Sequence, residues 1–174
     1  AIVERALSTY GDLHIAVCCA GILKERMIFN MSEEEWDSVV AVHLKGHFTV
    51  TRFAAQVFRQ QRSGRIVNTS SEAGLGGLGA TNYAAAKGGI VSLVRSAAAG
   101  MHRYGVTANC IAPVARTRMS ANVPMEIGGI GDAEDVAPMV VFLLSDKARQ
   151  ITGQVYTVSG GKIAVWNQPV ETRA

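Results

Sequence analysis

Short apolar runs alternate with long amphipathic stretches along this chain, and that alternation restricts the fold more than any other feature. Leu13 to Cys19, Arg65 to Thr69, Val106 to Ile111 and Val155 to Val158 have strand length and are rich in β-branched residues. The first is a continuous apolar run, as a parallel strand buried on both faces requires. The intervening stretches read as helices. Ala1 to Tyr10 ends at Gly11, and a long helix begins at a capping box, Ser32 with Glu35, and runs to about Gln61. Its apolar stripe is Trp36, Val39, Val40, Leu44, Phe48, Ala55 and Phe58. A second long helix covers about Thr81 to Arg103, and a third runs from Asp132 to about Ser145. Pro113 is expected to break the third strand, and Gly160-Gly161 to close the last. Strands separated by helices imply right-handed crossovers and therefore an α/β fold with a doubly wound parallel sheet.

With 48% apolar residues in 174, the chain suits one domain over residues 1–174. A net charge of +3, scattered without a basic run, argues against nucleic acid as a partner. No stretch is apolar for long enough to span a bilayer, and no signal peptide is visible. The three cysteines, Cys18, Cys19 and Cys110, fall in expected buried strands; two are adjacent and the count is odd. They read as small apolar core residues in a reducing, cytoplasmic setting. No metal site is expected. The chain lacks an initiator Met and starts within a helix, which reads as a fragment.

Chemistry concentrates between Asn68 and Lys87. Tyr83 and Lys87 are four apart on an expected helix, hence on one face a turn apart. Alone, that pair is unspecific. It gains meaning from Ser70-Ser71, just past a strand's C-terminal end, where open α/β sheets place their ligands. A glycine-rich loop, Gly74 to Gly79, then folds the serines back over the tyrosine. The preceding strand ends in Cys18-Cys19-Ala20-Gly21, small residues that let backbone approach a flat ring. A free tyrosine, with a pKa of about 10, is a poor base near pH 7. Lowering it by about three units takes roughly 4 kcal/mol. An ammonium about 4 Å away at an effective dielectric of about 20 supplies that much. Lys87 is therefore expected to depress Tyr83.

These motifs, in this order and spacing over nearly the whole chain, resemble the short-chain dehydrogenase/reductase family. The resemblance implies a Rossmann-like sheet of which the first three strands are missing, and with them the phosphate-binding glycine turn and the residue that selects NAD or NADP. It implies Tyr83 as acid/base, Lys87 as its activator and Ser71 as second hydroxyl donor, with Ser70 as runner-up. Ser71 is preferred because it stands three before Gly74. Cys18, Ala20, Gly21, Tyr83, Lys87, Pro113, Val114 and Thr117 would contact an NAD or NADP cofactor. The chain departs from the family pattern at Cys18-Cys19, where two asparagines are usual, and after Pro113, where a glycine is absent and Thr117 comes one residue early. His43 takes the place of the usual relay asparagine in the long helix.

Within the family, the likeness is greatest to the (3R)-hydroxyacyl-CoA dehydrogenase part of multifunctional β-oxidation enzymes and its bacterial relatives. That implies an acyl-CoA thioester substrate, whose phosphates Arg116 and Arg118 could meet. Carrier-protein reductases, steroid or sugar dehydrogenases, and a non-catalytic dinucleotide sensor are the other readings. Family members pair their long helices, so a homodimer or homotetramer is expected through Trp36, Phe48, Phe53, Phe58, Val91, Leu93 and Val94.

Overall fold

The computed structural model describes residues 2–77, 80–119, 130–168 and 170–171. The segment 120–129 and the end of the glycine loop lie outside the described residues. In chain order come α1 (Ile2–Tyr10), β1 (Ile15–Cys18), α2 (Glu33–Val40), a π-helical turn (Ala41–Lys45), α3 (Gly46–Gln61) and β2 (Gly64–Thr69). They are followed by α4 (Thr81–Met101), β3 (Val106–Arg116), β4 (Gly131–Asp132), α5 (Ala137–Leu144), β5 (Val155–Ser159) and β6 (Lys162–Val165). The sheet order is β1-β2-β3-β5-β6, with β4 off this path, paired to β3 at Ala115 and Arg116 and lying against Gly160 just past β5. All pairs are parallel except β5 with β6.

The sheet is wound on both faces, and the alternation of strand side chains shows how. Ile66, Cys110 and Val155 pack with Ala54 and Phe58 of α3 and with Ile90, Val94 and Ala98 of α4. Their neighbours Val67, Ile111 and Val158 turn the other way, onto Met139 and Leu143 of α5. At β1 this coverage is one-sided. Ala16 and Cys18 are buried, but Ile15 and Val17 are 46% and 41% exposed, because α5 does not extend across to the strand at that edge. The expectation of burial on both faces fails there. Cys19 also lies outside the strand and is exposed, whereas Cys18 and Cys110 are buried.

Three other expectations change. β3 runs straight through Pro113. The Cys110 N–H points to the β5 side, where it meets the Gln154 carbonyl, and the Ile111 carbonyl points to the β2 side, where it accepts from Ser70. By alternation the missing N–H of Pro113 falls on the β2 side, two residues after β2's last partner, Ile111. No ladder bond is lost. Gly160-Gly161 does not end the sheet. Both glycines have positive φ, 51° and 78°, and form a two-residue hairpin turn into β6. Finally, the long helix is continuous in direction, but its buried stripe is Val39, His43, His47, Thr51, Ala54 and Phe58. Trp36 and Phe48 are 39% and 48% exposed. Phe58, Val91 and Val94 belong to the core and cannot serve the expected subunit contact.

Candidate active site

Parallel strands put the ends of β1, β2 and β3 along one rim of the sheet, and α4 starts on that rim. The helix start is held by Asn82, fully buried. Its amide nitrogen donates to the carbonyls of Lys24 and Glu35 at 3.0 and 3.1 Å, and its oxygen accepts from the Tyr83 N–H at 2.8 Å. This bracing role was not foreseen; an asparagine in the first turn of a helix, where orphan N–H groups need acceptors, was the available signal.

Tyr83 and Lys87 lie on one face as expected, with Lys87 Nζ 5.4 Å from the centre of the Tyr83 ring. Ser71 stands close enough to the Tyr83 side chain to pull its pKa down. Ser70 does not compete for that place: it is buried, and its hydroxyl donates to the Lys87 carbonyl at 2.8 Å, tying β2's end to α4. Ser71 starts a short turn, Glu72–Leu75, and its oxygen accepts from the Ala73 N–H at 3.3 Å. The turn lies directly on α4. A Cβ added at Gly74 would stand 3.0 Å from the Gly88 nitrogen, and one added at Gly88 would stand 3.1 Å from the Gly74 carbonyl oxygen. A side chain at either position would crowd this backbone-to-backbone contact and push the turn off the helix by a few tenths of an ångström.

The electrostatics differ from the expected depression of Tyr83. Burial raises the tyrosine above its ordinary value, the nearby Ser71 opposes this, and Glu25 adds to it. Lys87, 3% exposed, is pushed down to about 8, with burial as the first cause. Its ammonium donates to the Thr69 carbonyl at 2.8 Å. Desolvation disfavours the charged form of each group and is the largest cause of both shifts.

His43 sits in the π-helical turn, a local widening that recurs at functional sites. Its ring meets the Tyr83 ring edge-on, centroids 5.1 Å apart. Nε2 lies 2.9 Å from the Ile22 nitrogen and 2.7 Å from the Ile22 oxygen, so either neutral tautomer is satisfied there. Nδ1 is buried with no partner. Burial is the main cause that lowers His43 below its ordinary value. Gly21 fits against the ring; a Cβ there would collide with His43 Cε1 and stand 3.2 Å from Nε2. Gly21→Ala is therefore expected to cost roughly 1–3 kcal/mol through overpacking. A thermal melt of the full-length protein unchanged from wild type would refute the close fit. One turn on, His47 is buried with its ring nitrogens against the carbonyls of His43 and Cys18, at 2.6 and 3.0 Å, another brace that went unread.

The rim thus gathers Ser71, Tyr83, Lys87, His43, Cys18 and Gly21, with Ala20 exposed beside them. Pro113 and Val114 lie half-buried on β3's extension, and Thr117 is exposed one residue past its end. Arg116 is already engaged: Nε and Nη2 reach one carboxylate oxygen of Asp132 at 3.1 and 2.9 Å, and Nη1 donates to the Ile130 carbonyl. Among the described residues, no group of three or more His, Cys, Asp or Glu side chains could hold a metal, and no helix is long and apolar enough to cross a membrane.

A serine, a tyrosine and a buried lysine thus meet at the carboxyl rim of a doubly wound sheet. The chain belongs to the short-chain dehydrogenase/reductase family. The family model described as enoyl-(acyl carrier protein) reductase matches residues 1–162. The hydroxyacyl-CoA dehydrogenase ChsB1 of Mycobacterium tuberculosis is 48% identical over 175 residues, covering 91% of this chain and 55% of that protein. The human (3R)-3-hydroxyacyl-CoA dehydrogenase is 41% identical over 160 residues, covering 84% of this chain and 61% of that protein. The crystal structure of a short-chain dehydrogenase from Mycobacterium avium superposes with a TM-score of 0.89 at 48% identity, covering 99% of this chain and 61% of that one. The chain thus spans little more than half the length of these relatives.

Proposed function

We propose that the intact protein interconverts a secondary alcohol and a ketone with NAD or NADP, and that its substrate is a 3-hydroxyacyl or 3-oxoacyl thioester of coenzyme A. The observation that carries the chemistry is the convergence of Ser71, Tyr83 and Lys87 on one rim. Tyr83 gives its phenolic proton to the carbonyl oxygen in reduction and takes it from the hydroxyl in oxidation. Ser71 donates a hydrogen bond to the same oxygen as charge develops on it. Lys87, an ammonium with three donors of which one serves Thr69, places positive charge behind the phenol. His43, able to exchange tautomers at Ile22 without moving and with Nδ1 unpartnered, suits proton traffic behind the site.

The residues at the rim fit a dinucleotide. Ala20 is exposed and Gly21 half-buried at the end of β1, leaving backbone open to a flat ring, and the remaining Lys87 donors suit hydroxyl groups. Cys18, Ala20, Gly21, Tyr83, Lys87, Pro113, Val114 and Thr117 would hold it. When bound, the cofactor supplies or accepts hydride.

The acyl-CoA substrate is supported by the names of the relatives and by the shortened stretch after Pro113. Of the two arginines there, the exposed Arg118 is the better candidate for a phosphate, since Arg116 is bound to Asp132. The test is a substrate panel with the full-length protein. For 3-hydroxyacyl-CoA, kcat/KM is expected to exceed that for simple secondary alcohols or sugars by more than a hundredfold. A preference for a carrier-protein thioester or a steroid would reject the substrate and leave the dehydrogenase chemistry standing. The exposed Trp36, Phe48 and Phe53 support pairing of subunits into a dimer or tetramer through the long helices.

A further inference from the structure

The segment that follows β6 is joined to the active-site turn by a chain of hydrogen bonds whose direction leaves no choice. The indole N–H of Trp166 is only a donor, and it reaches Thr157 Oγ1 at 2.9 Å. Thr157 must therefore accept there, and its own proton goes to Glu72 Oε1 at 3.1 Å. Glu72 directly follows Ser71 and is the first residue of the turn that Ser71 starts. The chain thus begins just past β6 and ends one residue from the Ser71 hydroxyl.

Both ends are anchored. The Trp166 N–H donates to the Val155 carbonyl at 2.9 Å, which continues the β5–β6 pairing and places the indole diagonally across from Thr157. Arg95 of α4 donates to the Asn167 carbonyl at 3.4 Å. One side of the indole packs on the core cluster of α3 and α4. The other lines an open cleft of about 430 Å³ bounded by Gly74, Leu75, Gly88 and Arg95. Packing therefore constrains Trp166 on one side only, and the bond to Thr157 fixes its orientation.

We propose that Trp166 is a positioning residue for Ser71, acting through Thr157 and Glu72. It holds the Glu72–Leu75 turn at the height that puts the Ser71 hydroxyl beside Tyr83. A residue outside the Ser-Tyr-Lys set, on the hairpin at the far edge of the sheet, then contributes to the chemical step and not to cofactor binding. The inference rests on the proposed dehydrogenase chemistry.

The experiment uses the full-length protein with Thr157→Val, Trp166→Phe and the double variant. Valine keeps the shape of threonine without its hydroxyl, and phenylalanine keeps an aromatic ring without the N–H. Each single change is expected to lower kcat threefold to tenfold with KM for NAD(P) unchanged. The double variant is expected to be no worse than Thr157→Val alone, because one chain is broken either way. Glu72→Ala should reproduce the loss, and Glu72→Gln, which keeps an accepting oxygen, should restore most of it. A second readout is independent of turnover. The Gly74 and Gly76 amides, bonded to the Ser71 and Ala73 carbonyls at 2.9 and 3.0 Å, should exchange hydrogen at least tenfold faster in Thr157→Val. Strictly multiplicative losses, an equal fall in cofactor affinity, or unchanged kcat and exchange would overturn the proposal. A wild-type protein that neither binds NAD(P) nor turns over would instead remove the dehydrogenase reading itself, while faster exchange in Thr157→Val would still show that the chain holds the turn.

Discussion

In the full-length protein, Tyr83→Phe is expected to lower kcat by about a thousandfold, the scale of a lost general acid/base, while cofactor affinity stays within a factor of two or three. The phenyl ring still packs against His43, whose edge-on contact involves ring carbons, and Lys87 keeps its bond to Thr69. Only the phenolic hydroxyl is removed. Steady-state rates in both directions, with fluorescence titration of the reduced cofactor, make the comparison. More than a tenth of the wild-type kcat would remove Tyr83 from the mechanism. Preserved cofactor binding alongside wild-type turnover would favour a site in which tyrosine is structural only.

Lys87→Met should act on activity and stability with opposite signs. Its ammonium is the charge behind the phenol, so kcat is expected to fall at least tenfold. In the folded chain, however, the lysine is lowered from 10.5 to about 8 by burial. A group that binds its proton more weakly in the folded than in the unfolded state destabilises the fold wherever both states are protonated. The cost is therefore complete below about pH 8, fades as pH rises toward 10.5, and is gone above it. The shift corresponds to about 3 kcal/mol, from which the lost bond to the Thr69 carbonyl removes roughly 1–2 kcal/mol. The variant should accordingly melt several degrees higher than wild type at pH 7, and the difference should vanish near pH 10. Cys18, which burial pushes up to about 11, titrates alike in both proteins, and Cys110, pushed up to about 12 by burial and held down in part by Lys87, rises further in the variant and ionises above the pH range compared. A variant less stable at pH 7 would show that the buried ammonium gains more from Thr69 and the cleft than it loses in desolvation.

The winding of the sheet and the Ser71, Tyr83 and Lys87 cluster were legible because each rests on a local pattern. Strand runs, helix periodicity and the four-residue spacing of Tyr83 and Lys87 need no knowledge of distant contacts. What escaped depends on geometry between elements. Pro113 breaks a strand only if its nitrogen faces a partner, and whether β2 extends that far is not written near Pro113. The Gly160-Gly161 pair carried a hairpin signal, but the run after it, Lys162 to Val165, is short and wholly exposed, and lacks the burial pattern that marks a strand. The long helix buries a stripe through His43 and His47 and leaves Trp36 and Phe48 outside, because the two histidines find backbone partners at Ile22 and Cys18 that only the folded rim supplies. The depression of Tyr83 was expected from Coulomb attraction alone, and the depth of burial that reverses it is a property of the assembled rim.

The contact between Gly74 and Gly88 bears on how such a site tolerates heat and sequence drift. The spacing between the serine turn and the helix carrying Tyr83 and Lys87 is set by main-chain atoms in van der Waals contact, with no side chain interposed. Nothing between them can change rotamer, so the gap behaves as a machined stop and not as a spring. Temperature or remote substitutions can shift the turn and the helix together, but have little means of opening the space between them. The tolerance of the reaction geometry is thereby assigned to two residues that have no functional groups, and losses of activity from substitution at either should appear as changes in rate at unchanged chemistry.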